Sequence, residues 1–499
     1  MNNERVFNYG YAGKEKKEKG VRTPFQIDRD RIIHSSAFRR MRNKTQVFGV
    51  FTLDYYRTRL THSLEVSQIA RAVTSILNKK YGLNIDIDLV EAVSLAHDIG
   101  HAPFGHLGES IINEELKKAT GGKFGFEANA QNIRILNFLE KKFYDSKNNK
   151  IYGINPSLKT IDGILKYKIP YSLSDKNKHF IYDNDISILE KLHGKDFINY
   201  LKKYSGFLND PKNKEVKENF FEFSRCIECQ ILNAADDIAY ATHDIEDGVE
   251  SKLIDIGGHF KVNKYLKESG RLGKDSINKI AAQVDNFFLN LRNIFKIAES
   301  KEACRISDED WRKGSMHHIK VKTDLKEFFS NYISKFILNI ELEERRGSIA
   351  KLKSKSKLKP KENSFIFDVP IDLEDDSYKY GIVWKNGVNL EISALKQISY
   401  KLVMENREIL LNRYKAENII RKLFSVFSDT KNIKKNIKLY PDDFQELYEF
   451  GFYDGFRKDK NENAGFQVMC ADYISGMTDM YAMKLYSSLF ESKNFTDIF

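Results

Sequence analysis

Apolar residues recur with a helical period along most of this chain. Between Thr61 and Tyr81, the residues Val66, Ile69, Ala70, Val73, Ile76 and Leu77 form one stripe, the spacing of a helix that buries one face. Asp88 is placed to start a second helix that carries Leu89, Ala92, Val93 and Ala96 and runs into His97-Asp98. A third stretch, from Phe220 to Asp247, sets Ile227, Ile231, Ala235, Ile238 and Ala239 on its apolar side. Further helical patterns cover residues 275–300, 322–345, 394–428, 441–451 and 466–491. Strand signals are sparse: 364–369, 380–384 and 388–392, the last two joined by Lys385-Asn386-Gly387, a hairpin signal. The expectation is an all-α fold with a small β-hairpin insertion. Its parts would be an N-terminal segment over 1–60, a core over 61–260, and a C-terminal helical region over 261–499 with the hairpin near 364–392.

Composition agrees with a folded chain. Of 499 residues, 41% are hydrophobic and 30% charged, which excludes a disordered polyelectrolyte, and only 8 prolines leave room for long helices. The net charge of +11 invites a polyanionic partner, but most of it sits in residues 345–361, where Arg345, Arg346 and six lysines occur without one acid. That tract reads as an exposed basic loop, a solvated spacer or a nucleic-acid contact. Four scattered cysteines exclude a disulfide framework, and the lone Cys226-x-x-Cys229 pair inside a helical pattern reads first as two small buried hydrophobes. The sequence contains no apolar run long enough to span a membrane and no signal-peptide pattern, so no membrane partner and a cytoplasmic location are expected.

Chemistry is concentrated in the histidines. Three of the eleven fall in His97-Asp98-Ile-Gly-His101-Ala-Pro-Phe-Gly-His106-Leu-Gly-Glu109. An adjacent His-Asp pair ending an apolar helix can give one nitrogen and one oxygen to a divalent cation, and Gly100 lets the backbone turn after it. His62, at the start of the 61–81 helix, is a candidate third ligand. The fourth lies in Asp236-Asp237, two acids in an apolar helix that are costly to bury without a cation or base. Asp236, Tyr240 and Asp244 recur at i, i+4 and i+8 and share one stripe, whereas Asp237 is turned about 100° away. Asp236 is therefore the expected ligand.

An H…HD…D set resembles that of the HD-domain metal-dependent phosphohydrolases, and further motifs resemble the dGTP triphosphohydrolase family within them. These are residues 22–48, Arg59-Leu-Thr-His-Ser-Leu-Glu-Val66, Ala96-His-Asp-Ile-Gly-His-Ala-Pro-Phe-Gly-His-Leu-Gly-Glu109, Phe126-Glu-Ala-Asn-Ala-Gln131, Gly163-Ile-Leu-Lys-Tyr167, the Asp236 helix and Asp472-Tyr-Ile-Ser-Gly-Met-Thr-Asp479. The resemblance implies cleavage of a deoxynucleoside triphosphate to deoxynucleoside and triphosphate, by water attack on the α-phosphorus. It implies one divalent ion, Mn²⁺ or Mg²⁺, on His62, His97, Asp98 and Asp236. His106 and Glu109 would form the catalytic pair, moving a proton to the leaving oxygen or, in the reverse assignment, activating the water. Arg59, Lys166, Tyr167 and Lys178 would grip the triphosphate and His101 would contact phosphate. Tyr240 would lie beneath the sugar, with Gln46 and Asp244 at its 3′-hydroxyl. Family members form oligomers, commonly hexamers, and nucleotides or single-stranded DNA are possible effectors. Two other readings stay open: an HD phosphodiesterase or nucleotidase acting on another nucleotide, and a nucleic-acid-binding regulator with a secondary HD site.

Overall fold

The computed structural model describes residues 4–6, 21–46, 57–145, 150–250, 262, 266–267, 274–296, 308–346, 369–404, 406–456 and 463–491. Helices dominate, as the apolar periodicity predicts. The first part contains α1 (Pro24–Ile33), α2 (Ser36–Arg40), α3 (Arg59–Tyr81), α4 (Ile87–Ala96), α5 (Gly105–Thr120) and α6 (Ala128–Arg134). A short antiparallel pair, β1 (Phe143–Asp145) and β2 (Lys150–Tyr152), leads to α7 (Leu158–Ile164), α8 (Ile186–His193), α9 (Lys195–Asn209), α10 (Lys214–Ser224) and α11 (Ile227–Glu250). Beyond them lie α12 (Lys274–Lys296), α13 (Asp308–Leu338), β3 (Ile340–Glu344), β4 (Tyr380–Trp384), α14 (Val388–Met404) and α15 (Arg407–Phe427). The last helices are α16 (Ile433–Asn436), α17 (Asp442–Glu449), α18 (Ala464–Gly476) and α19 (Asp479–Phe490).

The α3 stripe is buried as expected, with Val66, Ile69, Ala70, Val73 and Leu77 all in the core. Thr58 caps its N-terminus by accepting from the Thr61 amide, and Gly82 ends it in the left-handed region (φ 67°). Helix α4 is capped two residues earlier than expected: Asp86, not Asp88, accepts the Asp88 and Leu89 amides. Asp88 instead takes a hydrogen bond from Gln26 of α1 (2.8 Å). Helices α3, α4, α7 and α11 pack on one another and bury one large apolar core. A second core gathers Ile111, Ile112 and Leu116 of α5 with α15 and α18. Helix α5 runs sixteen residues because its apolar face continues through Ile111, Ile112 and Leu116.

Three other expectations are corrected. The Phe220–Asp247 stretch is two helices, because the chain breaks at Arg225-Cys226 and the Ile227 amide donates to the Ser377 carbonyl (2.8 Å). The freed carbonyls of Glu222, Phe223 and Arg225 accept from the Arg345 guanidinium at 3.2, 3.0 and 2.6 Å. Arg345 is thus no solvated charge but a buried helix-end cap, and Arg346 pairs with Glu374; Lys351–Lys361 lie outside the described residues. Finally, Val388–Ile392 is not a strand. Asn386 and Gly387 do turn with positive φ, but Val388, Ile392 and Leu395 continue at helical spacing into the core. The strand that pairs with Tyr380–Trp384 is Ile340–Glu344, antiparallel, with Ile340 opposite Trp384; residues 364–368 lie outside the described ones. Cys226 and Cys229 are buried free thiols packed with Tyr378.

Candidate metal centre and catalytic pair

The site lies where the two cores meet. Helices α3, α4 and α11 deliver His62, the His97-Asp98 pair and Asp236 from the first core, and α5 delivers His106 and Glu109 from the edge of the second. The segment His101–Phe104 joins them. Its tightness rests on close approach: a Cβ on Gly100 would overlap the Ala128 carbonyl, and one on Gly108 would overlap that of Pro103. The role of Gly100 is therefore close contact with α6 rather than the sharp turn expected of it. The positive φ values fall later, at Phe104 (62°) and Gly105 (63°).

Donor atoms of His62, His97 and Asp98 lie within 4.8 Å of one another, all buried. Asp236 joins at their edge, with Oδ1 at 3.2 Å from His62 Nε2 and 3.7 Å from His97 Nε2. The imidazole of His97 is oriented for ligation. Its Nδ1 lies 2.6 Å from the Ser94 carbonyl, to which it donates, so the Nε2 lone pair points inward, where it is buried and makes no hydrogen bond. Two imidazoles and two carboxylates around an orphaned nitrogen fit a divalent cation. The helix-face argument for Asp236 agrees with this geometry, since Asp237 is half-exposed and pairs with Lys396 of α14.

Fixed cations border the set. The Arg59 guanidinium, fully buried, binds Asp98 Oδ2 at 2.7 Å, while its Nε and Nη2 have no hydrogen-bond partner. Lys166 sits 3.0 Å from Asp236 Oδ2. Burial opposes ionisation of both acids, yet His97, His101 and Arg59 hold Asp98, and Lys166, His62 and His97 hold Asp236, well below the usual carboxylate range. Asp236 in turn holds the Lys166 ammonium charged against burial.

His101 bridges to the second cluster, with Nε2 3.2 Å from Asp98 Oδ1 and Nδ1 3.8 Å from Glu109 Oε2. Burial and Arg59 push its pKa down to about 4, so it is neutral. His106 stands edge-on to it, ring centroids 5.0 Å apart, with Nδ1 3.2 Å from Glu109 Oε2. The His106 side chain is 73% exposed, which leaves Nε2 open to the cleft, while Glu109 is anchored from behind by the Ala128 amide (3.0 Å). Glu127, in the next motif, is pushed upward by burial and by Glu109.

Next to the metal cluster, Gln46 Nε2 donates to the Tyr240 hydroxyl (3.1 Å), and the Tyr240 ring lies 5.1 Å from that of His62. Asp244, one turn along, is pushed up to about 8 by burial and by Asp247. Tyr167 follows Lys166, but its ring stacks on His179 (4.1 Å) and meets Phe221 edge-on, under Arg225. Lys178 is exposed on the neighbouring loop.

Four groups at the site escape a reading of the sequence. Lys396 lies over the Tyr240 ring (5.7 Å). Arg57 ties Glu65, Glu246 and Asp247 together beside Asp244. Lys44 and Asp479 are buried behind the His101–Phe104 segment. Lys396 and Asp479 reach the site from the far part of the chain, while Lys44 and Arg57 are neighbours of Gln46 and Arg59 whose contacts no local spacing reports.

Among the described residues no helix is long and apolar enough to cross a membrane. Residues 59–147 match the HD domain model and 382–488 the phosphohydrolase-associated domain model. Similar proteins include the deoxyguanosinetriphosphate triphosphohydrolase-like protein of Shewanella halifaxensis, 31% identical over 98% of this chain and 97% of that one. Those of Shewanella woodyi and Shewanella oneidensis are each 31% identical, over 96% and 94% of this chain and 94% and 93% of theirs. With relatives aligned nearly end to end and a His-Asp pair at the heart of the matched HD region, the chain belongs to the family of deoxyguanosinetriphosphate triphosphohydrolase-like proteins, in the HD-domain phosphohydrolase superfamily.

Proposed function

We propose that the protein hydrolyses deoxynucleoside triphosphates, dGTP or several of them, to the deoxynucleoside and inorganic triphosphate. The observation that carries this reading is the pair of fixed cations at the metal cluster: Arg59 on Asp98, with two guanidinium nitrogens buried and unpartnered, and Lys166 on Asp236. A polyanion is the ligand that satisfies them. The name carried by the relatives makes dGTP the first substrate to test.

A divalent ion, Mn²⁺ or Mg²⁺, on His62, His97, Asp98 and Asp236 would supply charge stabilisation at the α-phosphoryl oxygens. The chain's own groups do the rest. Arg59 binds the α-phosphate side, Lys166 and Tyr167 the outer phosphates with Lys178 at the rim, and His101 contacts the phosphate chain. As water attacks the α-phosphorus, His106 gives the Nε2 proton to the departing 5′-oxygen, and Glu109 at Nδ1 fixes the tautomer and stabilises the imidazolium. Tyr240 underlies the deoxyribose, where a 2′-hydroxyl would collide, and Gln46 and Asp244 read the 3′-hydroxyl. The reading includes a cytoplasmic homo-oligomer, a hexamer first.

The test is incubation of each of the four dNTPs and GTP with Mn²⁺ or Mg²⁺, products resolved by chromatography. Deoxynucleoside and triphosphate are expected. Release of phosphate or pyrophosphate overturns the proposal.

A further inference from the structure

The buried carboxylate of Asp479 touches neither the metal cluster nor His106, yet it is bonded to both sides of the cleft. Its Oδ1 accepts the Phe104 amide at 2.9 Å, and its Oδ2 accepts the Thr45 amide at 2.9 Å and the Thr45 hydroxyl. Phe104 is the N-cap of α5 and is held in the left-handed region, which a side-chain-bearing residue adopts only when its surroundings impose it. Two residues into that helix stands His106, and three further on Glu109. Thr45 precedes Gln46, which donates to Tyr240. Beside this contact the Lys44 ammonium donates to the His101 carbonyl (2.5 Å) and to that of Ser475 (2.8 Å). The segment Ser475–Asp479, from the far end of the chain, therefore holds the His101–Phe104 connection directly at Phe104 and through Lys44 at His101.

We infer that Asp479 is a positioning residue: it sets where helix α5 begins and so holds the His106–Glu109 pair in register with the metal ligands. A carboxylate suits the task because it offers acceptors in two directions at once. An amide offers one acceptor and one donor, and its NH₂ would face an N–H on one side or the other.

The inference rests on the proposed hydrolysis only for its kinetic readout, so the test has two arms on the full-length protein. In the first, hydrogen–deuterium exchange compares wild type with Asp479→Asn. Amides of the peptide spanning 102–109 are expected to exchange about tenfold faster or more, with those of α3 and α11 unchanged. Unchanged exchange at 102–109, or equal acceleration throughout, overturns the inference whatever the substrate. In the second arm, dNTP turnover with Mn²⁺ is measured. Asp479→Asn is expected to lower kcat by about ten- to a hundredfold, with KM and Mn²⁺ affinity within about threefold. In a His106→Ala background the same change should cost less than about twofold, because its effect runs through His106. Equal losses in both backgrounds overturn it. If Asp479→Asn does not fold, Thr45→Val, which removes only the hydroxyl donor, carries the same comparison with a smaller loss. If the wild type hydrolyses no dNTP, the proposed function fails and the exchange arm alone decides.

Discussion

The Lys166 ammonium lies 3.0 Å from one oxygen of Asp236, while the other oxygen faces His62 and His97 at 3.2 and 3.7 Å. One carboxylate is thus divided between a fixed cation and the metal cluster, and its neighbour Asp237 is paired with Lys396 at the surface. Asp236→Asn is expected to reduce Mn²⁺ affinity by roughly tenfold or more and to abolish metal-dependent turnover, since an amide is a poor metal ligand and leaves Lys166 unpaired. Asp237→Asn should stay within about threefold, because an exposed ion pair contributes little. Calorimetric Mn²⁺ titration of both variants checks this; equal losses would contradict the helix-face assignment.

His106 stands in the open cleft with its Nδ1 on Glu109, in the His101–His106–Glu109 group rather than with His62, His97 and Asp98. His106→Ala should therefore keep metal and nucleotide affinity while lowering kcat by about 10²–10⁴-fold, the usual contribution of a general acid. Steady-state kinetics with separate nucleotide-binding measurements test it, and retained turnover would remove His106 from the proposed mechanism.

Sugar discrimination should reside in the Tyr240 ring, positioned by Gln46 on its hydroxyl and by the His62 ring. Tyr240→Ala opens the space a 2′-hydroxyl would need. The ratio of kcat/KM for dGTP over GTP is expected to fall by about tenfold or more. An unchanged ratio would place sugar selection elsewhere.

Stability should depend on pH through Asp185, which is buried with Oδ1 unpartnered. Burial pushes its carboxyl up to about 7 from 3.8, although Arg134 opposes this. The sign follows: the folded-state pKa is raised, so the contribution is full below about pH 4 and is lost as pH rises towards 7, while the unfolded chain ionises and the folded one keeps its proton. Asp185→Asn removes that loss. Its urea midpoint should match wild type near pH 4 and exceed it increasingly up to pH 7, levelling off above; parallel curves would refute the assignment.

Much of the candidate site is legible in the amino-acid sequence because its histidines and acids sit on strongly periodic helices. His62 opens α3, the His97-Asp98 pair closes α4, and the i, i+4, i+8 stripe of Asp236, Tyr240 and Asp244 on α11 needs only helical geometry. Local pattern misleads where tertiary contacts override it. Val388, Leu390 and Ile392 alternate like a strand, yet their longer helical spacing meets the core. Phe220–Asp247 looks continuous, but its break is stabilised by Arg345, more than a hundred residues away. Arg345 itself is disguised as a solvent-facing charge by its lysine-rich neighbours. Asp479 stands in a recognisable motif, but its task depends on contacts to residues 45 and 104, which no local spacing reports.

The overlap that a Cβ on Gly108 would create with the Pro103 carbonyl, together with the contact of Gly100 on α6, makes residues 100–108 a mould rather than a dial. An engineer who randomised that stretch to change substrate range would mostly recover chains that no longer bring His106 to the metal ligands. The opposite wall carries Lys396 of α14, a partly exposed side chain that lies over Tyr240. Under the proposed function, substitutions at Lys396 alone would retune the cleft without touching His106 or the His62–His97–Asp98 group.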